Sequence, residues 1–263
     1  MRMYKYGIVI VAFLTPNMQA QSVRMLDVSA PRPLAFAADE LQKRHGMLIN
    51  YEEPASNYAG DFIDRRPDYA SGSRHIIFPK TGHIEVEYIA SNDKTAAVEN
   101  PERLLRDLLA DHAKRGNSGV FRVEEKKGIF HIIPAQARDE KGIFRDIRPI
   151  MDTLISFPEM DRTIADTIQE ICRAISRQTS YKVVLASYPL NEFNQKHSSR
   201  GSANQSARDA LLDVLRDTQR SFVWRLNYSN PGVFVLNIKL AFMEVINIRG
   251  GKVAREIPFP VKK

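Results

Sequence analysis

Apolar residues along this chain follow two spacings, and the alternation between them happens twice. Val23, Met25 and Leu26 read as an opening strand. Pro31 and Pro33 then lead into a helix-favouring stretch with Leu34, Ala37 and Leu41 on one face, and Gly46 is placed to stop it. Residues 47–51 read as a second strand. Residues 54–73 are rich in Pro, Ser, Asn and Gly and read as a loop. His83 to Ile89 alternates Ile84, Val86 and Tyr88 against Glu85 and Glu87, the period of a half-buried strand. From Pro101 the spacing lengthens again, with Leu104, Leu105 and Leu108 on one helical face. Residues 120–123 and 129–133 flank Lys126-Lys127-Gly128, a hairpin signature.

The second half repeats the order. A short strand is expected at 154–157, then a long helix carrying Ile164, Ile168, Ile171 and Ile175, then a strand at 181–185. Residues 189–205 read as a polar loop. A helix with Leu211, Leu212 and Leu215 follows, and a hairpin closes across Ser229-Asn230-Pro231-Gly232. Leu104, Leu105 and Leu108 match Leu211, Leu212 and Leu215 at 107 positions, and Ile129-Phe130 match Val233-Phe234 at 104. The fold class expected is α+β, in two tandem modules. Each is a β-α-β / β-α-β-β unit with two helices packed on one face of a small mixed sheet. The boundaries read are 21–137 for the first module, with a long insertion at about 54–95, and 138–150 for a linker. The second module takes 151–240 and a basic C-terminal tail 241–263.

Composition narrows the classes. The 263 residues are 43% hydrophobic and 26% charged, with a mean hydropathy of -0.33, which excludes wholesale disorder and a polytopic membrane protein. One cysteine, Cys172, excludes a disulfide framework. Arg2 and Lys5, the apolar run from Gly7 to Leu14, the break at Pro16-Asn17 and the small Ala20 have the order of a secretory signal peptide over residues 1–20. The run is too short to span a bilayer. Export to the periplasm of a Gram-negative bacterium is the expectation, with no transmembrane segment after cleavage. The net charge is +7, but residues 239–263 hold +4 of it and the body is close to neutral, so no nucleic-acid face is expected.

The string from Ser29 to Leu41, with Pro33-Leu34, Ala37-Ala38 and Leu41, followed by His45-Gly46 and the 47–51 strand, resembles the opening of the secretin/TonB short N-terminal (STN) domain. Ala210-Leu211-Leu212 before the closing hairpin is similar to that family's second half, and Pro101 to Leu109 approaches it again. The resemblance covers roughly 23–134 and 153–238. Two departures stand out, the insertion at 54–95 and Gln178-Thr179-Ser180 where the family has a glycine. The resemblance implies a periplasmic α+β module that docks on a protein partner, with no catalytic residues.

Candidate chemistry is thin. Ser91-Asn92-Asp93-Lys94 and Lys80-Thr81-Gly82 match penicillin-binding-enzyme strings, but in reversed order and without the third motif. The histidines (His45, His75, His83, His112, His131 and His197) show no metal-ligand spacing, though His75 and His83 flank a strand pair. Glu52, Glu53, Asp61, Asp64 and Asp68 cluster, but Arg65 and Arg66 interleave them. Phe222, Trp224 and Tyr228 with Arg220 and Arg225 mimic a nucleic-acid platform, yet alternation puts Phe222, Trp224 and Leu226 on one core-facing side. No catalytic, cofactor or metal residue is therefore assigned. Function is expected in the two loops and the tail, and the partner contacts named are Arg65, Arg66, Tyr69, His197, Arg200, Lys252 and Arg255. The reading is a non-catalytic envelope adaptor docking on an envelope protein. The alternative is a cell-wall or anionic-glycan binder using the tail and the 54–73 loop, with anionic lipid as a further contact for the tail.

Overall fold

A computed structural model of the chain describes residues 21–64, 77–91, 97–247 and 250–260. The leader read at 1–20, and Arg65, Arg66, Tyr69 and His75, lie outside the described residues. The fold is mixed α and β. The first half carries β1 (Gln21–Ala30), α1 (Pro33–His45), β2 (Ile49–Glu52), β3 (Phe62–Asp64), β4 (Ile77–Pro79) and β5 (Gly82–Ser91). It continues through α2 (Pro101–Lys114), β6 (Val120–Lys126), β7 (Ile129–Arg138) and β8 (Phe144–Asp146). The second half carries β9 (Leu154–Phe157), β10 (Arg162–Thr163), α3 (Ile164–Gln178), β11 (Lys182–Ser187), α4 (Leu190–Gln195) and β12 (His197–Ser198). It ends with β13 (Ser202–Ser206), α5 (Ala207–Asp217), β14 (Phe222–Asn230), β15 (Val233–Leu240), β16 (Phe242–Ile246) and β17 (Lys252–Glu256). No helix among the described residues is long and apolar enough to cross a membrane.

Local chemistry sets the helix ends. Asn100, Thr163 and Ser206 each accept a hydrogen bond from a first-turn amide of α2, α3 and α5, satisfying donors that the helix leaves unpaired. α1 stops at Gly46, which takes φ +67° and returns its N–H to the Gln42 carbonyl at 2.8 Å. α3 has no such glycine; the Thr179 hydroxyl bonds the Ile175 carbonyl at 3.0 Å instead, and the backbone leaves extended.

One seven-stranded sheet runs through both halves in the order β11-β15-β14-β2-β7-β6, with β8 added beside β7. β2 lies parallel to β7, and β7 antiparallel to β6. β11 lies parallel to β15, and β15 antiparallel to β14. The seam is the parallel pair β2 and β14, with Tyr51 beside Arg225 and Glu52 beside Leu226. Two-stranded ladders β1/β5 and β9/β13 stand apart from this sheet. Leu26, Val28, Ile84 and Tyr88 of β1 and β5 share a core with Leu34 and Leu41 of α1, Leu105 and Leu108 of α2, and Ile49, Tyr51 and Ile132 of the large sheet. α1 and α2 thus lie between two sheets, rather than on one face of a single small one. Alanines 35, 37 and 38 make this possible, since they bury α1 around most of its circumference.

Several stretches read as insertion, loop, linker or tail are built into the fold. β5, inside the span read as an insertion, is the full-length partner of β1. The polar stretch 189–205 forms α4, β12 and β13; Phe193 anchors α4 in the core, and β13 is held by backbone pairing with hardly any apolar pattern to signal it. In the stretch read as a linker, β8 pairs with β7, and Ile150 is buried. The tail folds as the β16/β17 hairpin, with Ile257 buried against Leu48, Ile129 and Leu212.

The seam is polar at its centre. Registered neighbours in a sheet point to the same side, so Tyr51 and Arg225 face α1 while Glu52 and Leu226 face α5. Glu52 and Arg208 of α5 form an ion pair at 2.6 Å with side-chain exposures of 0% and 5%. Glu52 also accepts the Met151 N–H at 3.1 Å, and Arg208 reaches Asp152 at 3.0 Å. Beside them the Asn50 side chain accepts the Trp224 N–H at 2.8 Å, and Glu53 accepts the Tyr228 N–H at 2.8 Å. Removing one partner of such a pair strands a buried charge. Arg208→Met is therefore expected to lower unfolding free energy by about 3–5 kcal/mol in urea denaturation. Adding Glu52→Gln restores a large part of that loss, because Gln keeps an acceptor for the Met151 N–H without the charge.

Candidate functional site

The feature with the shape of a binding site is the outer edge of the large sheet at β11, beside α3. Isoleucines 164, 168, 171 and 175 turn one face of α3 into the core, and Val183 of β11 is buried against it. The rest of α3 beside the strand is polar. Gln169, Arg173, Ser176 and Arg177, with Cys172 and residues 182–185, line an open groove of 680 Å³. Among the described residues β11 has one strand neighbour, β15, on its inner side. The Lys182 N–H goes inward to the Gly232 carbonyl at 2.8 Å. Alternation along a parallel strand then turns the peptide groups of Val183 and Leu185 outward. The Val183 N–H is taken by the Ser176 hydroxyl at 2.8 Å.

The same groove exists in the first half, and there it is filled. α1 and β2 match α3 and β11 position by position at a separation of 134: Ala35 with Gln169, Ala38 with Cys172, Asp39 with Arg173, Gln42 with Ser176, Lys43 with Arg177 and Leu48 with Lys182. β14 occupies the α1/β2 groove. The Glu53 N–H bonds the Leu226 carbonyl at 2.8 Å. Asp39 pairs with both Arg225 of β14 and Lys239 of β15. Gln42 donates to the Phe242 carbonyl at 3.2 Å, and Lys43 pairs with Glu244 at 3.2 Å.

A second concavity of 970 Å³ opens between β3/β4 and the β14/β15 turn, lined by Arg32, Phe62, Phe78 and Tyr228 among others. Arg32 is held there by Glu53 at 2.8 Å and by the Tyr228 carbonyl at 3.1 Å. The described part of the 54–73 loop forms one wall.

Of the partner contacts named from sequence, the four among the described residues do not converge. His197 is exposed beside Asp161 at 3.2 Å. Arg200 grips Asp217 through two contacts of 2.7 Å. Lys252 pairs with Glu244 at 3.4 Å, and Arg255 lies exposed on β17. The acidic cluster is divided among arginines: Glu52 goes to Arg208, Glu53 to Arg32 and Asp61 to Arg138. Asp64 and Asp68 carry no described side chain. Among the described residues no group of three or more His, Cys, Asp or Glu is arranged to hold a metal ion. The groove residues Arg173, Arg177 and Lys182 were missed, because the isoleucine stripe of α3 drew attention to its other face. The 134-residue match was the available signal.

Burial sets the titration of the interior. The Glu52 carboxyl is pushed above the ordinary carboxylate range by desolvation, against the pull of Arg208. Cys172 is pushed up to about 12 by burial, which leaves its thiol unreactive. His112 packs edge-on against Phe121 at 5.3 Å, and burial lowers it to about 4. His131, 6.0 Å from the Trp224 ring, is lowered to about 3 by burial first and then by Arg208 and Lys126. No family model matches the chain, no curated protein matches it, and no solved structure matches it.

The two histidines fix a pH dependence. Both fold neutral, with native values below the ordinary 6.5, so unfolding takes up protons once the pH falls below 6.5. Their contribution is full above that pH and is lost down to about 4 for His112 and about 3 for His131. In urea denaturation each histidine should lower stability by up to about 1.4 kcal/mol per pH unit as the pH falls from 6.5 towards 4. His112→Leu should remove one proton's worth of that slope.

Proposed function

We propose that the chain is a non-catalytic protein-interaction module of the bacterial envelope that takes an extended segment of an envelope protein at the β11 edge. The observation that carries this reading is the pair of matched grooves. One already holds a strand by edge addition, and its counterpart lies open. Strand addition gives affinity through main-chain hydrogen bonds and specificity through neighbouring side chains. The two halves read as tandem STN-like units. The order β1-α1-β2-β5-α2-β6-β7 recurs as β9-α3-β11-β13-α5-β14-β15, with the same pairings in each. The sequence resemblance at 29–51 and 201–215 supports the family, and the leader pattern at 1–20 supports the periplasm.

The test is retention of an envelope protein from a detergent extract by the immobilised chain. A discrete protein should be held at high salt. It should be lost with Leu185→Pro, which removes the outward N–H that an added strand would use. Gln169→Cys capped with a bulky maleimide closes the groove without touching the strand, and the buried Cys172 leaves that label selective. It should abolish retention equally. Retention unaffected by either block overturns the reading. Capture lost with salt and with the Lys252→Glu/Arg255→Glu pair, but not with the blocks, overturns it in favour of an anionic wall polymer.

A further inference from the structure

The filled groove states what the open one accepts. β14 brings Arg225 to the groove of the first half, β15 behind it brings Lys239, and Asp39 on α1 receives both. At the matching position the open groove carries the opposite sign, Arg173. Arg173 and Arg177 share a single carboxylate, Glu170, at 3.0 and 2.8 Å. Two guanidiniums on one carboxylate leave a net positive wall, and the exposed Lys182 on β11 adds to it. Both arginines are more than half exposed, so they are available to an incoming chain.

Resting on the strand-addition reading, we propose that the occupant of the α3/β11 groove is an acidic extended segment of a partner protein. It runs parallel to β11 and places a carboxylate at Arg173, where β14 places Arg225 at Asp39. Its polarity follows from β14, which lies parallel to β2. Its apolar residues alternate with the charge, as Trp224 and Leu226 flank Arg225.

A second copy of this chain is the obvious competitor, and its edge would bring to Arg173 an arginine, Arg122, already engaged by Glu124 at 3.0 Å and Asp152 at 3.3 Å, in place of a free carboxylate. In the first half, β6 holds the place that β14 holds in the second. Arg122 pairs with Ile133 as Arg225 pairs with Asn237, and Ile133 and Asn237 lie 104 positions apart, the separation that relates β7 to β15. Adding the β6 of one copy to the β11 of another in the register of the seam would set Arg122 against Arg173. Two guanidiniums brought together between the added strand and the helix above it repel each other. The molecule therefore has two complementary backbone edges whose side chains oppose endless stacking.

The experiment uses the full chain and two synthetic peptides, residues 222–228 as they stand and the same segment with Arg225→Glu. Binding is followed by fluorescence anisotropy, and amide exchange at Leu185 reports the site. The expected result is binding of the acidic peptide about tenfold tighter than its parent, with protection of the Leu185 amide. Arg173→Glu should reverse the preference. Equal or tighter binding of the parent peptide, with Leu185 protected, overturns the charge assignment and leaves strand addition standing. Acidic-peptide binding that leaves Leu185 unprotected overturns both. Concentration-dependent self-association of the chain without peptide, abolished by Leu185→Pro, overturns the choice of a foreign partner in favour of a second copy.

Discussion

The fold depends on one short parallel contact, in which β2 of the first half lies beside β14 of the second. Only a few residues pair there, so backbone hydrogen bonds alone would make a weak seam. Side chains supply the rest. Asn50 and Glu53 accept amides of β14 that the short ladder leaves without strand partners. Glu52 and Arg208 lock α5 over the join from the other face. A buried ion pair is weak evidence of added stability, since desolvation offsets most of its attraction. Its effect is on specificity. An apolar seam between two apolar-edged sheets would tolerate a shift of register, whereas a carboxylate with one guanidinium and one amide in reach does not.

That contact also turns the second half over relative to the first. β14 runs with β2, β15 against β14, and β11 with β15, so β11 and β2 run in opposite directions across the sheet. α1 and α2 pack on one face and α3 and α5 on the other, as the alternation of Tyr51 and Glu52 requires. Both faces of the sheet centre are thereby covered. The buried positions of β2 show the consequence, since Ile49, Asn50, Tyr51 and Glu52 are all enclosed. Among the described residues the unpartnered edges lie at the ends of the sheet, at β6 and β11.

The elements were legible wherever an apolar period ran long enough. The isoleucines of α3, the leucines of α2 and α5, and the alternation of β5 lie where the spacing puts them. The turns at Lys127-Gly128 and Pro231-Gly232 were legible from glycine at a position needing φ near +80°. What escaped was structure made by pairing rather than by burial. β13 is Ser-Ala-Asn-Gln-Ser and shows almost no apolar signal, and β16 and β17 were hidden by the charge of the tail. The merger of two small sheets was illegible for another reason. Asn50, Glu52 and Glu53 read as a polar strand end beside an acidic loop, and only the arrival of Arg208 and Arg32 from elsewhere makes them interior. For the groove, the signal lies in matched positions and not in the charge of a segment, since Asp39 and Arg173 differ in sign at a separation of 134.

The seam joins residues about 170 positions apart, and this sets the order in which the molecule can be made. Forming β2/β14 closes about two thirds of the chain into a loop, which places it late among the contacts that folding gains. Until then β2 is an open edge with Glu52 unpaired, and the first half is a unit whose inner face is unfinished. A chain interrupted before residue 208 would carry that exposed edge permanently, with a carboxylate and no arginine to meet it. The same chemistry that specifies the join thus marks an incomplete molecule as sticky and unstable, and makes the last fifth of the sequence the part that decides whether the first is folded.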